Sequence, residues 1–270
     1  MSVRLRTAAL MAPAMVTVAL LFGGALAGAV RTSLVPLGGG VTLDSWRALL
    51  EDPAFADAAW FSLRVALLAT VASAAAAVAV AGALRSRGTA VRALASLPVP
   101  VPHLLVAVLA VLWLAPGGLA ERALGALPVD LVRDGGGLGI VVVYAYKEIP
   151  FLVLLLLAAM GTGLREREEA AAVLGASARQ RLAWVVWPAI RGPLVIGSIV
   201  VAAFVLGAFE VPLAVGPNYP PTLAAYAYEA TRGDVLAGEG VAAAALLLTA
   251  GAAIALAALA VRLARTAEDE

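Results

Sequence analysis

Long apolar stretches divided by short charged punctuation run through the chain. No charged residue falls between Arg6 and Arg31, only Arg64 falls within 59–84, and none falls within 93–115. The pattern continues at 138–160, interrupted by Lys147 and Glu148, at 193–216, interrupted by Glu210, and at 241–261, which is uncharged. A helix needs about 20 mostly apolar residues to cross roughly 30 Å of hydrocarbon, where its backbone must satisfy its own hydrogen bonds. The pattern therefore predicts an all-α membrane protein of six transmembrane helices, at about 8–30, 59–84, 93–115, 138–160, 193–216 and 241–261, with residues 1–270 forming a single membrane domain. The first run exceeds the roughly 7–15 residues of a signal-peptide core, so it reads as an uncleaved span. Small residues at 242–245 and 251–253 permit close helix approach along the sixth.

Composition agrees with this reading. Of 270 residues, 63% are hydrophobic and 14% charged, and the net charge is +1. A soluble core cannot hide so much apolar surface, and no basic excess points to nucleic acid. The position of the arginines carries more information than their sum. With the amino terminus inside, Arg4, Arg6, Arg85, Arg87, Arg92, Arg262, Arg265 and every arginine of 161–192 are cytoplasmic, leaving Arg31, Arg47, Arg122, Arg133 and Arg232 outside. Positive charge collects on the cytoplasmic side of membrane proteins, and an even number of spans returns the carboxyl terminus there. Cysteine is absent and histidine occurs once, so a thiolate or histidine-rich metal site is ruled out and no metal ligand is assigned.

The outer connections are punctuated by Gly and Pro. In the first, Thr42-Leu43-Asp44 followed by Trp46, Leu49 and Leu50 fits either a capped amphipathic helix along the outer face or an ordinary structured loop. The one long inner connection, 161–192, differs from the rest. Arg165-Glu166-Arg167-Glu168-Glu169 leads into an alanine-rich stretch that predicts a helix with its acidic start on the favourable end of the dipole. Gly175 supplies a left-handed stop, and Ser177 caps a second short helix that Pro188 is expected to break.

Within this hairpin, Glu169-Ala170-Ala171, three residues, Gly175, nine residues, then Val185-Val186-Trp187-Pro188 resembles the EAA loop of binding-protein-dependent ABC importer permeases. That pattern is Glu-Ala-Ala, three residues, Gly, nine residues, Ile, any residue, Leu, Pro. The spacing agrees throughout; Val185 stands in place of Ile and the bulkier Trp187 in place of Leu. The resemblance implies a type I importer permease of MetI-like fold in the bacterial inner membrane. Its coupling helix, carried by Glu169, Ala170, Ala171 and Gly175, would seat in a groove of a separate ATPase. It further implies two ATP-binding subunits, a second permease subunit (the same chain or a related one) and an extracytoplasmic solute-binding protein, with ATP and magnesium held by the ATPase and no cofactor in this chain. Tyr146-Lys147-Glu148-Ile149-Pro150-Phe151 and Phe209-Glu210-Val211-Pro212-Leu213 resemble segments of the polyamine-type branch, which implies spermidine or putrescine as cargo, although iron, thiamine and phosphonate permeases carry related sequences. Leu43-Asp44-Ser45-Trp46-Arg47 and Ser62-Leu63 resemble the family's outer loop and second span.

Ionisable groups at membrane depth are costly and mark function by default. Arg64, Lys147, Glu148 and Glu210 are expected to face the bundle interior, where some pair and some line the translocation path; structural salt bridging between helices is the competing reading. His103 follows Pro98-Val99-Pro100-Val101-Pro102. Three alternate prolines cannot sit in a regular helix, so this segment is expected to be broken and to line the path, with His103 a packing residue or a ligand. The chain has no phosphate-binding loop. Energy must come from another subunit or, in the alternative of a self-contained ion-coupled transporter, from an ion gradient. For a membrane enzyme only Glu148, Glu210 and His103 would be available, in no recognisable catalytic spacing.

Overall fold

The computed structural model describes residues 3–35, 39–125, 130–233 and 235–268, and among these every regular element is helical. In chain order they are α1 (Val3–Leu34), α2 (Asp44–Glu51), α3 (Pro53–Leu84), α4 (Thr89–Ser96), α5 (His103–Leu114), α6 (Leu119–Leu124), α7 (Leu138–Ala159), α8 (Thr162–Val173), α9 (Ala178–Arg181), α10 (Trp187–Gly207), α11 (Glu210–Val215), α12 (Leu223–Gly233) and α13 (Val235–Glu268). A π-helical turn, Leu182–Val186, joins α9 to α10. Six stretches are long and apolar enough to cross a membrane: Leu10–Leu34, Pro53–Leu84, His103–Leu124, Leu138–Ala159, Ala178–Gly207 and Gly238–Arg265.

Two expected spans are divided. The third is α4 and α5 separated by the proline-bearing turn at 97–102, as the missing amide donors dictate. The fifth ends at Gly207 rather than 216, and α11 begins afresh at Glu210 after a break at Ala208 and Phe209. Gly207 and Pro212 flank that break. Conversely, Pro188 does not end a helix. The π turn lies just ahead of it, with the Trp187 amide donating to the Leu182 carbonyl, and this wider turn relieves the clash a proline ring makes with the carbonyl four residues back. Helix therefore runs on from α9 through α10.

The span α7 is the structural centre. Its Ile140, Tyr144, Leu152, Val153 and Leu156 pack with Phe61, Val65, Ala66 and Ala69 of α3 and with Val201 of α10. The α7–α10 contact is close at Gly197, where a Cβ would come within 2.5 Å of a Leu155 methyl. By contrast α1 exposes Val16, Leu20, Leu21 and Phe22, the all-round apolar surface expected of a helix bathed in lipid.

A second core sits at the end of the bundle that carries α2 and α12, where Leu49 of α2 meets Ala58, Tyr226, Ala242, Ala244 and Ala245. The segment 44–51 is thus a helix, its first amide donating to Thr42 Oγ1 at 3.1 Å. Ala242, Ala244 and Ala245 are buried as close-contact residues, whereas Gly251 is exposed with nothing near it. Asp52 starts α3 by accepting from the Ala54 amide at 2.9 Å, with Pro53 in the first turn. The same carboxylate accepts from the Tyr226 hydroxyl at 2.7 Å. Burial, then the Asp52 hydrogen bond, hold that phenol well above its ordinary range.

Candidate functional site: a capped hairpin and a membrane-depth polar cluster

The hairpin at 161–192 is built from local signals. Helix α8 starts at Thr162, a turn earlier than the charges alone implied, so Glu166, Glu168 and Glu169 lie in its middle and no acid occupies its first turn. Glu168 and Glu169 are held by pairing rather than by the helix dipole. Glu169 accepts from Arg165 Nε at 2.8 Å one turn away, while Glu168 takes both its bonds from Arg85 Nη1, at 2.9 and 3.0 Å, at the end of α3. Hydrogen bonding to Glu169, then its charge, raises the Arg165 guanidinium above its already high range. The helix closes as a Schellman motif: Gly175 has φ +87, its amide bonds to Ala172, and the Ala176 amide reaches back to Ala171. Ser177 and Gln180 then form a reciprocal capping box at 2.8 and 3.3 Å that starts α9.

Leu164, Val186 and Ile190 bury the base of the hairpin. Its tip is apolar and open: Val173 is 86% and Leu174 87% exposed. Glu169, Ala170 and Gly175 are exposed with them, and Ala171 is half-buried. Trp187, the bulky departure from the family pattern, is half exposed and displaces no core residue.

The second site forms where the two broken spans meet α7. Lys147 is 3% exposed, and its Nζ donates to the carbonyls of Pro98, Val99 and Val101 at 2.6, 3.1 and 2.5 Å. Three acceptors use all three hydrogens of an ammonium. In an uninterrupted helix the Pro98 carbonyl would be served by residue 102, which is a proline with no amide hydrogen, so the lysine takes over part of the backbone's task. Beside it Glu148, also buried, accepts from His103 Nε2 at 3.0 Å, which fixes the ring hydrogen on that nitrogen. His103 is the first residue of α5. Its ring lies 4.9 Å from Phe204 of α10 and 6.1 Å from Tyr144 of α7, and Tyr144 meets Phe204 edge-on at 6.2 Å.

The structure thus brings together His103, Lys147 and Glu148. Glu210 opens α11 at the second break, with an exposed side chain that, like Glu148, is within electrostatic reach of Tyr144. Arg64 is apart: it donates to the Gly136 carbonyl at 3.1 Å and stacks over Phe61 at 5.3 Å, near the start of α7. Among the described residues no ion pair joins any two of Arg64, Lys147, Glu148 and Glu210. Tyr144 and Phe204 were missed from sequence. Tyr144 had a usable signal, since 144, 147 and 148 share one helical face.

Residues 69–268 match the family described as binding-protein-dependent transport system inner membrane component. The inner membrane ABC transporter permease protein YnjC of Escherichia coli strain K12 is 29% identical over 210 residues, covering 76% of this chain. The chain spans only 41% of that relative's length. Among solved structures, a bacterial alginate ABC transporter in complex with an alginate pentasaccharide-bound periplasmic protein superposes with a TM-score of 0.77 at 19% identity, covering 96% of this chain and 93% of the other. A second structure, of an ABC transporter involved in import of the acidic polysaccharide alginate, gives 0.75 at 20%, covering 96% and 94%. A shared fold at that identity, six membrane-length helices and a family match over residues 69–268 lead to one conclusion: the chain belongs to the inner-membrane permease components of binding-protein-dependent ABC transport systems.

Proposed function

We propose that the chain, as one membrane domain with both termini cytoplasmic, forms half of the translocation pathway of an importer and takes its energy from a separate ATPase through the hairpin at 161–192. A single observation carries this reading: the connection at 161–192 is a doubly capped helix, glycine turn and helix with an exposed apolar tip. The uncovered Val173 and Leu174 offer a greasy knob for a groove. Glu169, Ala170 and Ala171 give a small, polar-edged face beside it, and helix that continues through Pro188 links the knob to α10 without a joint. Arg85 bonded to Glu168 ties the same hairpin to α3. In this reading two ATP-binding subunits hold ATP and magnesium, a second permease subunit completes the path, and a periplasmic binding protein delivers the solute. The cargo is a small solute of polyamine type, supported by the resemblance of segments 146–151 and 209–213 and by the carboxylates these place at the cluster.

Affinity purification of the tagged chain from its host membranes tests the coupling. The intact chain should bring down a nucleotide-binding subunit, and Gly175→Asp or Glu169→Lys should lose it while the permease remains folded. Solute uptake by vesicles holding this chain alone would overturn the reading.

A further inference from the structure

Resting on the importer reading, we propose that His103, Tyr144, Glu148, Phe204 and Glu210 form a membrane-depth subsite for the positively charged nitrogen of an organic cation. Three independent observations meet here. The first is charge. Lys147 is fully occupied by backbone carbonyls, so its one positive charge faces two carboxylates. Glu148 is held by His103, whereas Glu210 has no ion pair among the described residues. With His103 neutral, one negative charge is left over, and a ligand cation would cancel it at a depth where uncompensated charge is costly.

The second is an orphaned group. The Tyr144 hydroxyl is buried with no hydrogen-bond partner, although the residue lies within electrostatic reach of both Glu148 and Glu210. Buried polar atoms are nearly always paired, and the phenol oxygen can accept from an ammonium N–H that neither carboxylate can supply. The third is the aromatic lining. The rings of His103, Tyr144 and Phe204 are mutually 4.9–6.2 Å apart, and Phe204 remains 43% exposed, so a ring edge and face are open to an arriving cation. Among the described residues no three His, Cys, Asp or Glu side chains converge to hold a metal ion, which favours an organic cation over a metal. The setting suits a transient site, because both breaks, at 97–102 and 208–209, end beside it, and irregular backbone at this depth is found where a cavity or protein surrounds it.

The test is binding of radiolabelled putrescine to the complete permease–ATPase complex in nanodiscs without the solute-binding protein, with choline and gluconate as competitors. Choline should displace the label and gluconate should not. Glu210→Gln, at an exposed position that tolerates the amide, should weaken putrescine binding about tenfold or more, and Phe204→Leu about threefold, with the ATPase still co-purifying. Unchanged binding in both variants, absence of saturable putrescine binding, or displacement by gluconate would each overturn the subsite. These results leave the importer reading standing, since that reading fails through absence of the ATPase partner from the wild-type complex or through uptake by this chain alone.

Discussion

The hairpin at 161–192 and the membrane-depth cluster are both interruptions of helix, yet they are held in opposite ways. The hairpin's caps join residues three to five apart: Ser177 with Gln180, Ala176 with Ala171, Gly175 with Ala172. The cluster is held by bonds spanning 45 to 49 residues, from Lys147 to Pro98, Val99 and Val101 and from His103 to Glu148. A motif closed on itself can move as a unit. One closed only by its neighbours changes whenever they do.

The sharpest way to break this comparison is Lys147→Met. Three carbonyls lose their donor and the buried Glu148 loses its nearby charge, so stability should fall by about 3 kcal/mol, read as the unfolding midpoint in detergent. The loss should appear at a distance: in this cysteine-free chain, a Val99→Cys reporter should label faster with maleimide when Lys147 is gone. Gly175→Ala comes next. A Cβ at φ +87 costs about 1–2 kcal/mol, and amide exchange should quicken in 170–178 while the Val99 reporter is unmoved. Ser177→Ala removes one arm of the capping box at a cost of about 1 kcal/mol, with faster exchange confined to the start of α9. Arg85→Gln is the smallest, at about 0.5 kcal/mol for a partly exposed pair, and its effect should vanish in high salt. A Ser177→Ala variant that loosened Val99, or a Lys147→Met variant that did not, would erase the distinction between the two regions.

The same division explains what could be read from the chain beforehand. The six apolar runs, the stop at Gly175, the cap at Ser177 and the break among Pro98, Pro100 and Pro102 are short-range consequences of residue type, and all appear in the structure. The partners of Lys147 and His103 depend on how α5 packs on α7, and no local pattern states them. Glu210 looked mid-span because its helix break is set by Gly207 and Pro212, whose breaking strength is masked by an apolar context. Pro188 misled in the other direction: a ring that ends a helix in water is carried here by a neighbouring π turn. The acidic run at 165–169 was read as a helix start because charges were visible and Thr162 was not distinctive.

That π turn has a geometric consequence. At 3.6 residues per turn, each residue advances an α-helix by about 100°, and the turn at 182–186 holds one residue more than an α-helical turn would. The turn absorbs its extra residue with little net rotation, so removing one residue there would leave the hairpin tip nearly in phase, whereas removing one from α10 would swing it by about 100°. The direction of the hairpin tip is therefore set by helical phase, and a single deletion within α10, which leaves composition almost unchanged, would turn it to another side.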